Sequence, residues 1–287
     1  MKRKSFVVAL AASGLFFYSC STKNTEQNET EATDSVPKVL STSARPVHWG
    51  YGGESGPSKW SSLTPVYALC GEGQSQSPIN IVKSVASTAG SWNFDYKTTS
   101  LRIAHNEHME EIIDNGHTIQ VTVDEGSTFT FGDKAYELKQ FHFHTPSEHT
   151  IDGEHAPMEM HMVHQNEDGS LAVVGILFRE GNTPNENFAK IVANLPNSKG
   201  EEKHLQDVNL ELEVHLPKHN YAYHYLGSLT TPPCSEGVQW LVLQEPVVLT
   251  RDQIAEFSKR IGPNNRPTQQ VNERTVNLGD LAGNTQQ

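Results

Sequence analysis

QFHFHTPSEHTIDGEHAPMEMHMVH, residues Gln140 to His164, decides how the rest of the chain is read. In its first five residues Gln140, His142 and His144 alternate with Phe141 and Phe143, so at the two-residue period of a β-strand the polar three share one face. Near its end Glu159, His161 and Val163 alternate with Met160 and Met162, which gives a second strand carrying one more inward imidazole. Three histidines can therefore converge. Neutral imidazole suits zinc, and a catalytic zinc keeps three protein ligands with a fourth position open to water. His142, His144 and His161 are the candidate ligands of one Zn2+ per chain. Gln140 and Glu159 stand where partners for His142 and His161 are needed to fix the ring tautomers. A lone histidine on an apolar strand is more often an ordinary satisfied or exposed residue. His-x-His on one strand with Glu-x-His on the next argues against that reading here.

Motifs on either side extend the pattern: HWGY at His48–Tyr51, GQSQSPIN at Gly73–Asn80, NGH at Asn115–His117, SEH at Ser147–His149, GSLTTPPC at Gly227–Cys234 and NNRPTQ at Asn264–Gln269. With QFHFH and MEMHMVH, they resemble the alpha class of carbonic anhydrases in its bacterial, exported form. The resemblance implies a twisted central sheet of about ten strands with the zinc at the bottom of a cone on one face. It implies reversible hydration of carbon dioxide to bicarbonate and a proton, by attack of zinc-bound hydroxide. Thr230 would orient that hydroxide, since giving its own hydroxyl proton to Glu148 leaves its oxygen as an acceptor. The Thr230 N–H, in a segment whose two prolines supply none, would meet one substrate oxygen.

His117 matches the family's proton shuttle, a role that suits a group titrating near neutral pH. Tyr51, Asn115 and Gln120 match positions that order the connecting waters. The implied apolar wall for carbon dioxide comprises Val163, Leu171, Val173, Leu229, Thr231, Val238 and Trp240, whose aliphatic and aromatic members serve equally well as core. The remaining histidines, His149 among them, carry no metal role in this reading. Only Thr145, Pro146 and Ser147 separate His144 from Glu148, where animal members often have a longer insertion, so a shorter surface loop is expected.

Two other readings compete. His142-x-His144 followed by Glu148 resembles the first metal motif of cupins, in which the glutamate binds metal, but that leaves Glu159-x-His161 and Leu229–Pro233 without a role. A lipoprotein of the same fold could also hold zinc without catalysis, as a silent binding module.

The chain has 287 residues, 36% hydrophobic, which suits one β-rich domain with a real core. A formal charge of -12 argues against nucleic acid as a partner. Lys2, Arg3 and Lys4 followed by an apolar run to Tyr18 have the form of a signal peptide over residues 1–19. Ser19-Cys20 resembles a bacterial lipoprotein cleavage site with Cys20 lipidated, although Phe17 stands where that motif usually has leucine and leaves plain secretory cleavage or a retained anchor open. The expected setting is the periplasm or outer membrane of a Gram-negative bacterium, with membrane association through the lipid. A homodimer is compatible with this reading, which fixes no oligomeric state. Residues 20–43 are too poor in aliphatic side chains to order themselves and read as a tether, with the catalytic domain at 44–287. If Cys20 carries lipid, Cys70 and Cys234 remain as an even pair that an exported protein should oxidise, and the resembled family pairs these positions.

Alternation and short apolar runs predict strands at 93–96, 101–105, 110–114, 117–123, 129–131, 134–145, 158–165, 171–178, 221–227 and 238–243. A helical turn is expected near 60–66, and helices at 184–193 and at 250–261, the last capped by Thr250. The fold class is therefore mainly β with a few short helices, one domain around a large, mostly antiparallel sheet.

Overall fold

The computed structural model describes residues 47–83, 92–106, 117–216 and 221–280. The signal segment, Cys20, the tether, Asn115 and the strand expected at 110–114 lie outside them. Two short helices come first, α1 (Trp60–Leu63) and α2 (Leu69–Glu72), with a 3-10 turn at Pro65–Tyr67 between them. The strands that follow are β1 (Asn80–Ile81), β2 (Trp92–Asp95), β3 (Thr98–His105), β4 (Ile119–Thr122) and β5 (Thr128–Phe131). Next come β6 (Lys134–His144), β7 (Thr150–Ile151), β8 (Glu154–His155), β9 (Met158–Gln165) and β10 (Leu171–Gly181). Helix α3 (Glu186–Ala193) precedes β11 (Glu202–Glu211), β12 (Tyr221–Ser228), β13 (Glu236–Leu243) and β14 (Val247–Thr250), and α4 (Arg251–Ile261) precedes β15 (Asn277–Asp280). Among the described residues no helix is long and apolar enough to cross a membrane.

Twelve of these strands form one sheet, whose main path runs β11-β3-β4-β6-β9-β10-β13-β12-β15. It is larger than the sheet of about ten strands that the resemblance implies, and β11, β14 and β15 are members that alternation alone did not mark as strands. The pairing is antiparallel except where β10 runs parallel to β13 and to β14. The register at its centre matters most: His142 on β6 stands directly across from His161 on β9, and His144 across from Glu159. A bulge between Leu138 and Gln140 resets the alternation just before the site, so that the polar residues of both strands reach the same face.

The opposite face is the main core. Phe141, Phe143, Met158, Met160 and Met162 are fully buried there with Val174 and Ile176. Helices α3 and α4 close it through Phe188 and Phe257, the latter with its ring 4.5 Å from that of Phe143. Asn185 caps α3 by accepting from the Asn187 and Phe188 N–H groups, which starts the helix two residues later than the expected Pro184. Thr250 and Gln253 form a reciprocal capping box on α4, and Gly262 ends it at φ 65°.

A second aromatic cluster, Trp49, Trp60 and Tyr67, packs around a disulfide between Cys70 and Cys234. Buried Arg266 ties the same region down, donating to the carbonyl oxygens of Cys70 and Ser77 at 2.7 Å each, with its guanidinium 5.6 Å from the centre of the Trp60 ring.

Away from the site, His164 is buried against Tyr96, whose hydroxyl lies 2.8 Å from Nε2. Burial pushes the His164 imidazole down to about 3 from its ordinary 6.5. The folded value lies below the unfolded one, so the unfolded chain binds the extra proton first. Stability is whole above about pH 6.5 and is lost as the pH falls toward 3, at about 1.4 kcal/mol per pH unit for this group. Urea unfolding of a His164→Gln variant between pH 7 and 4 should show a shallower fall than the parent. An unchanged slope would contradict the assignment.

Candidate active site

The three expected ligand histidines converge. Their nitrogens lie within 4.8 Å of one another, and all three side chains are buried. Each ring is fixed from behind. His142 Nδ1 is 2.9 Å from Gln140 Oε1, His144 Nδ1 is 2.8 Å from the Asn264 carbonyl oxygen, and His161 Nε2 is 2.9 Å from Glu159 Oε1. Those oxygens accept, so the ring nitrogens facing them carry hydrogen, and the lone pairs left over are Nε2 of His142, Nε2 of His144 and Nδ1 of His161. Buried His144 Nε2 has no hydrogen-bond partner. An orphaned nitrogen among three converging imidazoles is what a cation would satisfy.

Electrostatics agree with that donor set. Burial lowers His142 well below its usual value, aided by His144 and His161, and burial likewise brings His144 down to about 4 and lowers His161. The imidazoles are thus neutral at pH 7, as metal binding requires. Burial also works against the Glu159 carboxylate, but His149 and His161 outweigh it and hold the group well below the carboxylate range.

Glu159 is the hub of a network that the sequence reading missed. Oε2 accepts from the N–H groups of Glu148 and His149 at 2.8 and 2.9 Å, and Oε1 meets His149 Nδ1 at 2.7 Å. His149 Nε2 continues to the Tyr225 hydroxyl at 2.7 Å, and that hydroxyl to Ser77 Oγ at 2.9 Å. Both nitrogens of His149 are occupied, so it offers nothing to a metal despite its closeness. Gly175 stands opposite His161, and a methyl group there would lie 3.0 Å from Glu159 Oε1, which explains the missing side chain.

Glu148 is fully buried and Oε1 accepts from the Arg266 N–H at 2.8 Å. Burial pushes its carboxyl up to about 7, against the pull of His161, the Arg266 N–H and the Thr230 hydroxyl. It stays outside the groups that converge like metal ligands, which removes the cupin-like role. Thr230 and Thr231 are buried beside the wall expected for the substrate. Val163, Val173, Leu229, Val238 and Trp240 form one cluster with Leu171 packed against it, on the same side of the sheet as the triad.

His117 precedes its strand rather than joining it, with φ 70° in the left-handed region. Its ring meets those of Trp49 at 6.0 Å and Tyr51 at 6.4 Å. Gln120 is buried, pairs across from His142 and accepts from Asn106 at 3.0 Å.

A model of the eukaryotic-type carbonic anhydrase family matches residues 55–279. A carbonic anhydrase of Pectobacterium carotovorum is 40% identical over 233 residues, 80% of this chain and 90% of its own length. Among solved structures, the alpha-carbonic anhydrase of Thermovibrio ammonificans, in complex with the inhibitor sulfanilamide, aligns with a TM-score of 0.74 and 39% identity, over 80% of this chain and 98% of that one. A hyperthermostable carbonic anhydrase from a hydrothermal vent chimney aligns at 0.73 and 41%, over 81% and 100%. The mixed β-sheet, the histidine triad on its central strands and these likenesses define one class: the chain belongs to the alpha carbonic anhydrase family. It is an enzyme of that family, whose reaction is the reversible hydration of carbon dioxide.

Proposed function

We propose that this chain hydrates carbon dioxide with a zinc ion held by His142, His144 and His161, and that His117 carries the released proton to solvent. The observation that supports it most is the set of three lone pairs left over once Gln140, Asn264 and Glu159 have claimed the other ring nitrogens. Bound there, zinc would make a water molecule acidic near neutral pH, a property for which this family is the standard example.

The chain's own residues do the rest. A cation beside Glu148 favours its carboxylate, which would accept a hydrogen bond from the Thr230 hydroxyl and so leave the Thr230 oxygen as an acceptor that turns the nucleophile's remaining hydrogen away from the substrate. The cluster around Val163, Leu229 and Trp240 draws a neutral substrate out of water without binding it tightly. Gln120, Tyr51 and Asn115 would order water between the site and His117.

Stopped-flow hydration before and after chelation and zinc return tests this reading. Zinc-loaded protein no faster than buffer would favour the silent zinc-binding module instead. A Thr230→Val variant should bind zinc as before while kcat/KM falls about 100-fold, the usual size of losing one positioned hydrogen-bonding group. Parent-like kcat/KM would remove Thr230 from the reaction.

A further inference from the structure

The His117 ring is held on both nitrogens. Nε2 lies 3.2 Å from the Trp49 carbonyl oxygen, which can only accept, so this nitrogen carries hydrogen. Nδ1 is then the lone pair of the neutral ring, and Lys199 Nζ, which as an ammonium can only donate, lies 3.1 Å from it. Lys199 rides on a turn that is itself fixed: Glu201 Oε2 accepts from the Asn197 and Ser198 N–H groups at 2.7 and 3.2 Å, while Glu201 Oε1 faces Lys203 at 3.4 Å. The nearby carboxylate is thus engaged by the turn and by Lys203, and Lys199 reaches to the imidazole.

We propose that Lys199 is a positioning residue for proton release, occupying the one lone pair through which His117 can take up a proton. This rests on the reading of His117 as the proton carrier. A proton passed along water forms its new N–H bond at Nδ1, and the hydrogen bond from Lys199 breaks as it does so. The imidazolium and ammonium then repel at contact distance, which drives the proton from Nδ1 onward to a buffer base, and Lys199 returns. Lys199 therefore sets the pH at which the carrier works. The titratable groups facing His117 among the described residues are Lys199, His48 with its ring at 6.0 Å and Tyr51 with its ring at 6.4 Å.

The test uses the zinc-loaded full chain with Lys199→Met, Lys199→Arg and His117→Ala. Imidazole NMR of the parent should show the Nε2–H tautomer. In Lys199→Met the His117 titration midpoint should rise by about one pH unit, with the difference shrinking as salt is added. The pH profile of kcat in dilute buffer should move with it, while kcat/KM, which precedes proton release, stays within about twofold. Lys199→Arg should keep the parent midpoint. A Lys199→Met midpoint and kcat profile equal to the parent's, with His117→Ala still slow in dilute buffer, would overturn the proposal alone. If His117→Ala loses nothing in dilute buffer, the proton-carrier reading falls and takes the proposal with it.

Discussion

A His144→Ala variant will hydrate carbon dioxide about three orders of magnitude more slowly than the parent, with its fold intact. The size follows from what is removed: several kcal/mol of charge stabilisation at the reacting water, at 1.4 kcal/mol per factor of ten. His144 is the informative member of the triad because its partner is a backbone atom, the Asn264 carbonyl, held 2.8 Å from Nδ1. Truncation leaves that carbonyl and a small void, and both lie beside Phe143 and Thr145 in a region anchored by other bonds, including Thr145 N–H to Asn264 Oδ1 at 2.8 Å. Zinc content, near-UV circular dichroism and hydration rate should be measured together. Loss of rate and zinc with an unchanged spectrum is the expected result. A variant that keeps parental activity would mean that the triad is not the catalytic centre.

Replacing both cysteines, Cys70→Ser with Cys234→Ser, should lower the free energy of unfolding by about 4 kcal/mol. The bridge joins residues 164 apart in sequence, and in the chain-entropy account so long a closed loop is near the upper end of the scale. Two features keep the folded state from collapsing with it. Arg266 still binds the Cys70 carbonyl, and Trp49 and Trp60 still pack together at 5.3 Å. Activity per folded molecule should therefore persist at 25 °C, while the urea midpoint drops. A free energy of unfolding within about 1 kcal/mol of the parent's would show that the unfolded chain is already restricted in this region.

The ligand strands were legible because their two faces differ in kind. Histidines and carboxyl or amide groups on one side of β6 and β9, Phe and Met on the other, leave a single consistent orientation. The edge strand β11 was not legible: Glu202 to Glu211 alternates weakly, with Leu210 as its one buried residue, and reads as loop until its pairing with β3 is seen. The partner of His144 was invisible for a different reason, since a carbonyl oxygen has no residue type. The chain from Glu159 through His149 and Tyr225 to Ser77 was missed because its members come from three segments far apart in sequence and each has an ordinary alternative role. Polar groups that specify a site by alternation can be read from a strand. Those that meet only after the sheet has closed cannot.

The position of β9 has a kinetic meaning. Along the main path of the sheet, four strands lie on either side of it, so fraying that begins at β11 or β15 must cross several ladders before it reaches His161. Amide hydrogens of β6 and β9 should be among the last in the molecule to exchange, with or without metal. The backbone that carries the three histidines is thereby insulated from events at the rim, and the spacing of their rings is a property of the sheet's middle rather than of its edges.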